Sequence, residues 1–235
     1  MSYQFESRVR FSETDVDRRL SFVSLVDFFQ DCSTYQSESL GKGMDYLKEQ
    51  NLVWMVLSWQ IEIERRPVLG EKVISRTWPH GFKAFYGHRN FVLLDENENY
   101  LAKANSVWVL MNTQTGKPQK PLAEHVASYE LEPPLEMEYS SRKILIEGEG
   151  EKMEPFVVGR QHLDSNNHVN NGQYIYMAEE FLPEGFEVKK LKVEYRQQAH
   201  LHDTVVPIVY RRPDEVMVSL ENVDGKPYAV IDFAG

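Results

Sequence analysis

The sequence predicts an α+β protein in which a long helix followed by a run of long strands occurs twice. In the first half, a largely apolar segment with helical spacing precedes segments that alternate, or run apolar, in the manner of strands. Helices do not alternate with these strands, which argues against a βαβ arrangement. After about residue 150 the same order of elements returns, and this indicates an internal repeat.

The first half opens with a loosely alternating stretch, Tyr3 to Phe11, that suits a strand. A largely buried helix is expected from Phe22 to about Leu40, with Gly41 just beyond its end. The apolar face of this helix is formed by Phe22, Leu25, Val26 and Phe29. A short helix near Met44 to Gln50 is expected to follow.

Long strands complete the first half. They are predicted at Leu52 to Glu64, Lys72 to Trp78, Phe82 to Leu94 and Tyr100 to Met111. Pro79 and Gly81 predict a turn between the second and the third of these strands. The polar residues 95–99 predict the next turn.

The second half repeats this order. A strand near Phe156 to Gln161 and a polar turn precede a helix that reaches about Phe181. Four strands follow, near Val188 to Gln198, Thr204 to Arg211, Glu215 to Glu221 and Lys226 to Phe233. We therefore expect an N-terminal domain, residues 1–125, a charged and turn-rich linker, residues 126–150, and a C-terminal domain, residues 151–235.

The two halves can be aligned at the turn before each long helix. Matching Asp15 with Asp164 superposes the helices in register at an offset of 149 residues. In the strands the offset falls to 132 residues, which implies a longer connection in the first half. Arg19 then stands where the second half has His168, so only the second half keeps an imidazole there. We infer one site, in the C-terminal half, and an N-terminal helix that is free to line a pocket.

Composition limits the classes of function. The 235 residues carry a formal net charge of −10, which argues against nucleic acid as a partner because phosphate binding requires a basic face. No apolar run approaches the ~20 residues of a membrane span, and the first residues lack a signal-peptide pattern, so a cytoplasmic location is expected. The single cysteine, Cys32, cannot form an internal disulfide and is read as a buried apolar residue. The histidines show no metal-ligand spacing, so no metal or cofactor is expected.

The segment from Arg160 to Tyr174 combines an acid, amides and an imidazole with the start of the second long helix. If Asp164, Asn166 and His168 lie on extended backbone, their alternate spacing points all three side chains to one side. Asn170 or Asn171 is a good N-cap for the helix. The N–H groups near Val169 to Gly172 would then lie where a developing oxyanion could be held. A polar turn whose groups only satisfy each other is the alternative interpretation.

This segment, with the repeated order of a helix and a sheet, resembles the acyl-acyl-carrier-protein thioesterases. The string Leu163-Asp-Ser-Asn-Asn-His-Val-Asn-Asn171 carries the resemblance, which extends over nearly the whole chain. It implies a tandem double hot-dog fold, in which each of two long helices is wrapped by an antiparallel β-sheet. It also implies hydrolysis of fatty acyl thioesters of acyl carrier protein to free fatty acid, with the acyl chain held by the N-terminal domain.

The same resemblance implies roles for individual residues. Asp164, Asn166 and His168 would form the catalytic network. Asn170 and Asn171 are candidate substrate-binding residues at the helix start. Trp54 and Trp59 are candidates for lining the acyl pocket, although core packing is the preferred interpretation of both. Acyl carrier protein is the expected partner, and the oligomeric state, including a homodimer, stays open.

The chain departs from the family pattern on the next strand. After Glu194-Tyr-Arg, the family's acid position holds Gln198 and its thiol position holds Ala199. A cysteine nucleophile is therefore excluded at this position, and Gln198 can orient a water but cannot accept its proton. Glu194 lies four residues earlier, roughly 13 Å away along a strand, which is too far to replace it. The proton must go to Asp164 or to His168, and the sequence leaves this choice open.

Alternative functions remain. A binding or sensing protein that does not cleave its acyl thioester is favoured by Gln198 and opposed by His168. An acyl-CoA thioesterase, or a hydratase or dehydratase acting on acyl thioesters, is a further alternative within the same fold. The sequence sets neither the thiol carrier nor the preferred acyl chain length and saturation.

Overall fold

The computed structural model describes residues 2–164 and 167–235. The chain forms two compact units, residues 1–140 and residues 141–235. Each unit contains one principal helix and its own antiparallel strands. Within the described residues, none of the helices combines the length and apolar character needed to cross a bilayer.

The first unit is an antiparallel sheet with a long helix packed on it. Its strands are β1 (Tyr3–Arg8), β2 (Leu52–Ile63), β3 (Lys72–Lys83), β4 (Tyr86–Asp95), β5 (Tyr100–Asn112) and β6 (Lys117–Pro118). Its helices are α1 (Phe22–Ser39), α2 (Met44–Glu49) and α3 (Ala123–Val126). The strand order is β1-β3-β4-β5-β2, and β6 pairs with the last two residues of β5, Met111 and Asn112. Every one of these pairings is antiparallel.

Helix α1 is the longest helix and its apolar face forms the core of the first unit. Ser21 caps its start by accepting a hydrogen bond from the Ser24 N–H at 3.1 Å, and Gly41 follows its end at φ 66°. The Phe29 ring packs against Trp59 of β2 and Phe91 of β4, with centroids 6.0 and 5.3 Å away. The helix therefore crosses the face of the sheet, as the spacing of its apolar residues predicts.

The second unit has the same plan with shorter elements. Its strands are β7 (Glu151–Lys152), β8 (Phe156–Val157), β9 (Lys190–Tyr195), β10 (Thr204–Arg212), β11 (Glu215–Glu221) and β12 (Pro227–Ala234). Its helix is α4 (Asn171–Glu179), which packs against β11 and β12. The strand order is β9-β12-β11-β10-β7, and β8 pairs with β10.

Each unit contains a hydrogen bond at the position that the predicted alignment makes equivalent. The Val9 N–H donates to the Glu71 carbonyl at 2.9 Å, and the Val158 N–H donates to the Asp203 carbonyl at the same distance. Val9 and Val158 are 149 residues apart, whereas Glu71 and Asp203 are 132 apart. Both offsets of the alignment are thus reproduced in one pair of equivalent contacts, and the internal repeat is confirmed.

One predicted turn in the first unit is wrong. The chain does not turn at Pro79 and Gly81 but continues in β3 as far as Lys83, with a register shift between those two residues. The turn comes at Ala84, which has φ 55°. A proline is tolerated here because β1 begins opposite Thr77, so beyond that point β4 is the one strand paired with this part of β3, and the other edge of β3 needs no N–H donor.

The predicted linker, residues 126–150, contains the boundary between the units. Its beginning is bound to the first unit, since the Tyr129 hydroxyl donates to Ser37 Oγ at 2.8 Å. Its end is bound to the second unit, where the Ile144 N–H donates to the buried carboxylate of Glu194 at 3.0 Å. The three-part division of the chain into domains and linker stays a prediction.

Candidate active site

The predicted catalytic segment forms a tight turn before α4. Leu163 and Val169 pair as an antiparallel bridge, so the chain reverses between them. The Asp164 N–H donates to the His168 carbonyl at 2.8 Å, and the His168 N–H donates to Asp164 Oδ1 at 3.2 Å. Asn167 has φ 60°, a conformation that asparagine adopts more readily than most residues.

The turn brings Asp164 and His168 together, but not in the way that extended backbone would. The strand spacing considered for residues 164–168 is wrong, because the bridge and the turn fold this segment back on itself. Both residues are partly buried. Asn166, the third member of the predicted network, lies outside the described residues with Ser165, so its position is not part of this geometry.

Asn170 is the N-cap of α4. Its side-chain oxygen accepts a hydrogen bond from the Gly172 N–H at 2.8 Å, and its carbonyl accepts one from the Gln173 N–H at 2.9 Å. The Asn171 carbonyl accepts a hydrogen bond from the Tyr195 hydroxyl at 3.0 Å. Asn170 is therefore engaged in starting the helix, and Asn171 ties that start to the end of β9.

Three of the N–H groups expected to face an oxyanion, those of Val169, Asn170 and Gly172, already donate hydrogen bonds inside the protein. The Val169 N–H donates to the Ala199 carbonyl at 3.0 Å, and the Asn170 N–H donates to the His162 carbonyl at 2.9 Å. The Gly172 N–H is bound by the cap. These donors already have partners inside the protein, so an oxyanion would have to displace a formed hydrogen bond.

Residue 199 is fixed against the start of α4 from both sides. Its carbonyl accepts from Val169, and its N–H donates to the Tyr174 hydroxyl at 2.9 Å. Burial raises the pKa of Tyr174 to about 12, and the charges of Asp203 and Asp164 act in the same direction. The hydroxyl therefore stays protonated near neutral pH and serves as a fixed acceptor for the backbone.

Gln198 lies just beyond β9, which ends at Tyr195 rather than at Gln198 as predicted. The strand stops because the N–H groups of Arg196 and Gln197 both donate to the single carbonyl of Tyr228. Gln198 is exposed, and its side chain forms no hydrogen bond with any residue that the structure describes.

A second imidazole lies against His168, and the sequence reasoning missed it. The ring centroids of His168 and His200 are 4.9 Å apart, with an interplanar angle of 76°. Asp203 Oδ2 accepts a hydrogen bond from the His200 N–H at 2.9 Å and lies 3.8 Å from His200 Nδ1. The signal that could have found His200 is its place in the sequence directly after Gln198 and Ala199, the family's acid and thiol positions.

The equivalent turn in the first unit has the same backbone hydrogen bonds between Asp15 and Arg19 as occur between Asp164 and His168, with different side chains. Asp15 Oδ1 accepts a hydrogen bond from the Arg19 N–H at 3.0 Å, as Asp164 does from His168. The second carboxylate oxygen of Asp15 forms an ion pair with Arg66, which the alignment places opposite Gln198. A salt bridge therefore closes the turn of the first unit, and the second unit has the uncharged amide of Gln198 in place of the guanidinium.

Trp54 and Trp59 both lie on β2 of the first unit. Trp59 is 1% exposed, and its ring contacts those of Phe29 and Phe91, which agrees with core packing. Trp54 is only partly buried, with its ring centroid 6.1 Å from that of Phe82. Of the two, Trp54 is the one that keeps accessible surface for a ligand.

Neither Cys32 nor a metal-binding cluster offers an alternative centre among the described residues. Cys32 is fully buried on α1, and burial raises the pKa of its thiol to about 12. The part of the chain that the structure describes holds no group of three or more His, Cys, Asp or Glu side chains arranged to bind a metal ion. The turn at Asp164 and His168 is thus the strongest candidate for chemistry.

Comparison with known families agrees with this layout. Residues 1–129 match the model of the acyl-ACP thioesterase N-terminal domain, and residues 147–224 match that of the acyl-ACP thioesterase C-terminal domain. The resemblance inferred from the motif is therefore confirmed over both halves of the chain.

Curated relatives are plant proteins. The chain is 27% identical over 226 residues to a chloroplastic acyl-[acyl-carrier-protein] hydrolase of Cuphea viscosissima, over 89% of this chain and 54% of that protein. It is 25% identical over 246 residues to oleoyl-acyl carrier protein thioesterase 2 of Arabidopsis thaliana, over 95% of this chain and 67% of that protein. The chain spans about half the length of most of the curated relatives it matches.

Solved structures share the fold over nearly the full chain. An acyl-ACP thioesterase from Bacteroides thetaiotaomicron aligns with a TM-score of 0.92 and 20% identity, over 99% of this chain and 97% of that one. The 12:0-ACP thioesterase of Umbellularia californica aligns with a TM-score of 0.87 and 18% identity, over 99% of this chain and 96% of that one. These likenesses confirm the predicted α+β, tandem hot-dog fold. Together with the two family matches, they establish that this chain belongs to the acyl-ACP thioesterase family.

Proposed function

We propose that this chain is a thioester hydrolase that releases fatty acid from acyl groups carried by acyl carrier protein. The observation that carries the proposal is the turn in which Asp164 and His168 are held together at the start of α4. Membership of a thioesterase family, and curated relatives named as hydrolases of acyl-carrier-protein thioesters, support the same reaction and substrate class.

The reaction is an attack of water on the thioester carbonyl. The water oxygen bonds to the carbonyl carbon while one of its protons passes to a base. We assign this base to His168, because imidazole is the side chain that changes charge nearest to neutral pH. The tetrahedral intermediate then collapses, the carbon–sulfur bond breaks, and the leaving thiolate takes the proton back from the imidazolium.

The other members of the site orient this reaction. Asp164 holds the turn through the His168 N–H and orients the water or the imidazole. Asn166 positions the water or donates to the oxyanion. Gln198, exposed and without an acidic group, orients the water but takes no proton.

The substrate contacts are proposed at two places. Asn170 and Asn171 shape the start of α4 beside the catalytic turn. The N-terminal domain, residues 1–125, holds the acyl chain, with Trp54 as the better lining candidate than the fully packed Trp59. A cytoplasmic location and a homodimer stay predictions from the sequence.

The test is thiol release from matched acyl-carrier-protein and acyl-CoA thioesters. The native chain should release thiol, faster from the carrier protein, and His168→Ala should be slower by roughly 10²- to 10⁴-fold, the range of general base catalysis. Arg19→Ala, at the equivalent position of the first unit, is the matched control and should stay within about twofold of the native rate. Equal release by the native chain and His168→Ala would remove the proposed site.

The same assay separates the main rival, a protein that binds acyl thioesters without cleaving them. This rival is favoured by Gln198 at the family's acid position. Tight binding of acyl-carrier protein with no thiol release by the native chain would establish it in place of the hydrolase. Faster release from acyl-CoA would make the chain an acyl-CoA thioesterase.

A further inference from the structure

Tyr174 links α4 to the segment that carries Gln198. Its hydroxyl oxygen accepts a hydrogen bond from the Ala199 N–H at 2.9 Å. The Ala199 carbonyl accepts a second hydrogen bond, from the Val169 N–H at 3.0 Å. Ala199 is fully buried and Tyr174 is 2% exposed, so bulk water does not compete for these bonds. The residue directly after Gln198 is thus held at both of its backbone polar groups.

These bonds fix a segment that has already left the sheet. Strand β9 ends before it, and the N–H groups of Arg196 and Gln197 share the Tyr228 carbonyl at 2.8 and 3.1 Å. Beyond this point the segment is attached again at Ala199. Gln198 lies between the two attachments, with its side chain exposed. The direction of the Gln198 side chain therefore depends on where the Ala199 backbone is held.

The attachment at Ala199 lies beside the catalytic turn. The Ala199 carbonyl binds the N–H of Val169, the residue that directly follows His168. His200 directly follows Ala199, and its ring centroid lies 4.9 Å from that of His168. The segment 198–200 is therefore packed against the turn at two successive residues.

The first unit lacks the hydroxyl bond at the equivalent position. The alignment pairs Tyr174 with Leu25, whose side chain has no hydrogen-bonding group, and Ala199 with Pro67, which has no N–H. The carbonyl bond is nevertheless kept, because the Leu20 N–H donates to the Pro67 carbonyl at 2.8 Å. The fold of a unit can therefore be built without the hydroxyl bond. Of the two units, the one with the catalytic turn is the one that has this bond.

We propose that Tyr174 is a positioning residue: its hydroxyl holds the Ala199 backbone so that the Gln198 amide faces the water that attacks the thioester. This inference rests on the proposed function, in which Gln198 orients that water. Burial raises the pKa of Tyr174 to about 12, so the hydroxyl stays protonated and its bond to Ala199 is maintained over the pH range of an activity assay. Tyr174 acts through Gln198 and does not touch the substrate.

Tyr174→Phe tests the bond, because it removes the hydroxyl and keeps the buried ring. Exchange of the Ala199 amide proton, followed by NMR, should become faster by roughly fivefold or more. The kcat for an acyl-carrier-protein thioester should fall by roughly 10- to 100-fold, the scale of a misplaced catalytic group, while KM stays within about twofold. Gln198→Ala should lower kcat by a similar factor.

A double variant distinguishes positioning from a general structural effect. If Tyr174 acts through Gln198, the combination of Tyr174→Phe and Gln198→Ala should be no slower than the slower of the two single variants. Effects that multiply in the double variant would overturn the inference, because they would show that the two residues act independently. A native kcat in either single variant would overturn it as well.

Tyr176→Phe is the matched control, because it removes a hydroxyl from the same helix at a position that is 63% exposed. Its kcat and its rate of Ala199 amide exchange should match those of the native chain. Thiol release by the native chain tests the proposed function separately. No release would end the proposed function and this inference with it, whereas native release together with unchanged Ala199 exchange in Tyr174→Phe would end the inference alone.

Discussion

Arg66 is ion-paired with Asp15 across the turn that precedes α1, and both side chains are less than one-fifth exposed. The guanidinium also lies 4.6 Å from the centroid of the Phe22 ring and donates to the Leu20 carbonyl at 3.2 Å. In the second unit, Gln198 occupies the equivalent position and makes no such bond among the described residues. The salt bridge therefore locks the turn of the first unit, and the second unit has an uncharged amide in place of the guanidinium.

Arg66→Gln should destabilise the first unit. The change leaves the partly buried Asp15 carboxylate without its cation and removes the contact with Phe22, so we expect a loss of about 1–3 kcal/mol in the free energy of unfolding. Urea denaturation, monitored by tryptophan fluorescence, measures this loss of stability, because all four tryptophans lie in the first unit. Gln198→Ala is the control and should change stability by less than ~0.5 kcal/mol. An Arg66→Gln protein as stable as the native one would contradict the locked turn.

Asn170→Ala should weaken the start of α4. Removal of an N-cap side chain costs about 1 kcal/mol, and here the cap oxygen holds the Gly172 N–H. Asn170→Asp keeps an acceptor and should recover most of this stability. Hydrogen exchange of the Gly172 amide reads the effect directly: it should accelerate in the alanine variant and stay near the native rate in the aspartate variant. Equal exchange in both variants would show that the cap does not stabilise the helix start.

Asp27→Asn should stabilise the protein above pH 6. Burial, with added repulsion from Asp31 and Glu13, raises the pKa of Asp27 to about 6, so ionising it costs stability as pH rises from about 4 to 6. The asparagine variant avoids this cost and should gain about 1–2 kcal/mol at pH 7, with the gain vanishing below pH 4. Melting temperatures between pH 4 and pH 8 measure the trend. Glu49→Gln, at an exposed position, should show no such pH-dependent gain.

Cys32 should be dispensable for hydrolysis. Its thiol is buried and its pKa is raised to about 12, so the nucleophilic thiolate is nearly absent at neutral pH. Cys32→Ala should keep thioesterase activity within about twofold, and iodoacetamide at pH 8 should modify the native chain only after denaturation. Rapid alkylation of the folded protein, with parallel loss of activity, would reopen a cysteine mechanism.

The order of the elements could be predicted because it depends on local periodicity. The apolar positions of α1, its end at Gly41 and the cap at Asn170 each follow from residues within a few positions of one another. The turn at Pro79 was predicted wrongly for the opposite reason. Whether a proline interrupts β3 depends on where β1 begins to pair with it, and that is a contact between distant parts of the chain.

The sequence by itself determined that an acid and an imidazole lie four residues apart before the second long helix, and that only the second half has this imidazole. Tertiary structure alone decided that the N–H groups of Val169 and Asn170 are engaged by the carbonyls of Ala199 and His162. It also decided that His200 meets His168 and that Arg66 meets Asp15. These pairs are 32 and 51 residues apart, so they form only when the register of the strands brings their ends to the start of each helix, and no local pattern encodes that register.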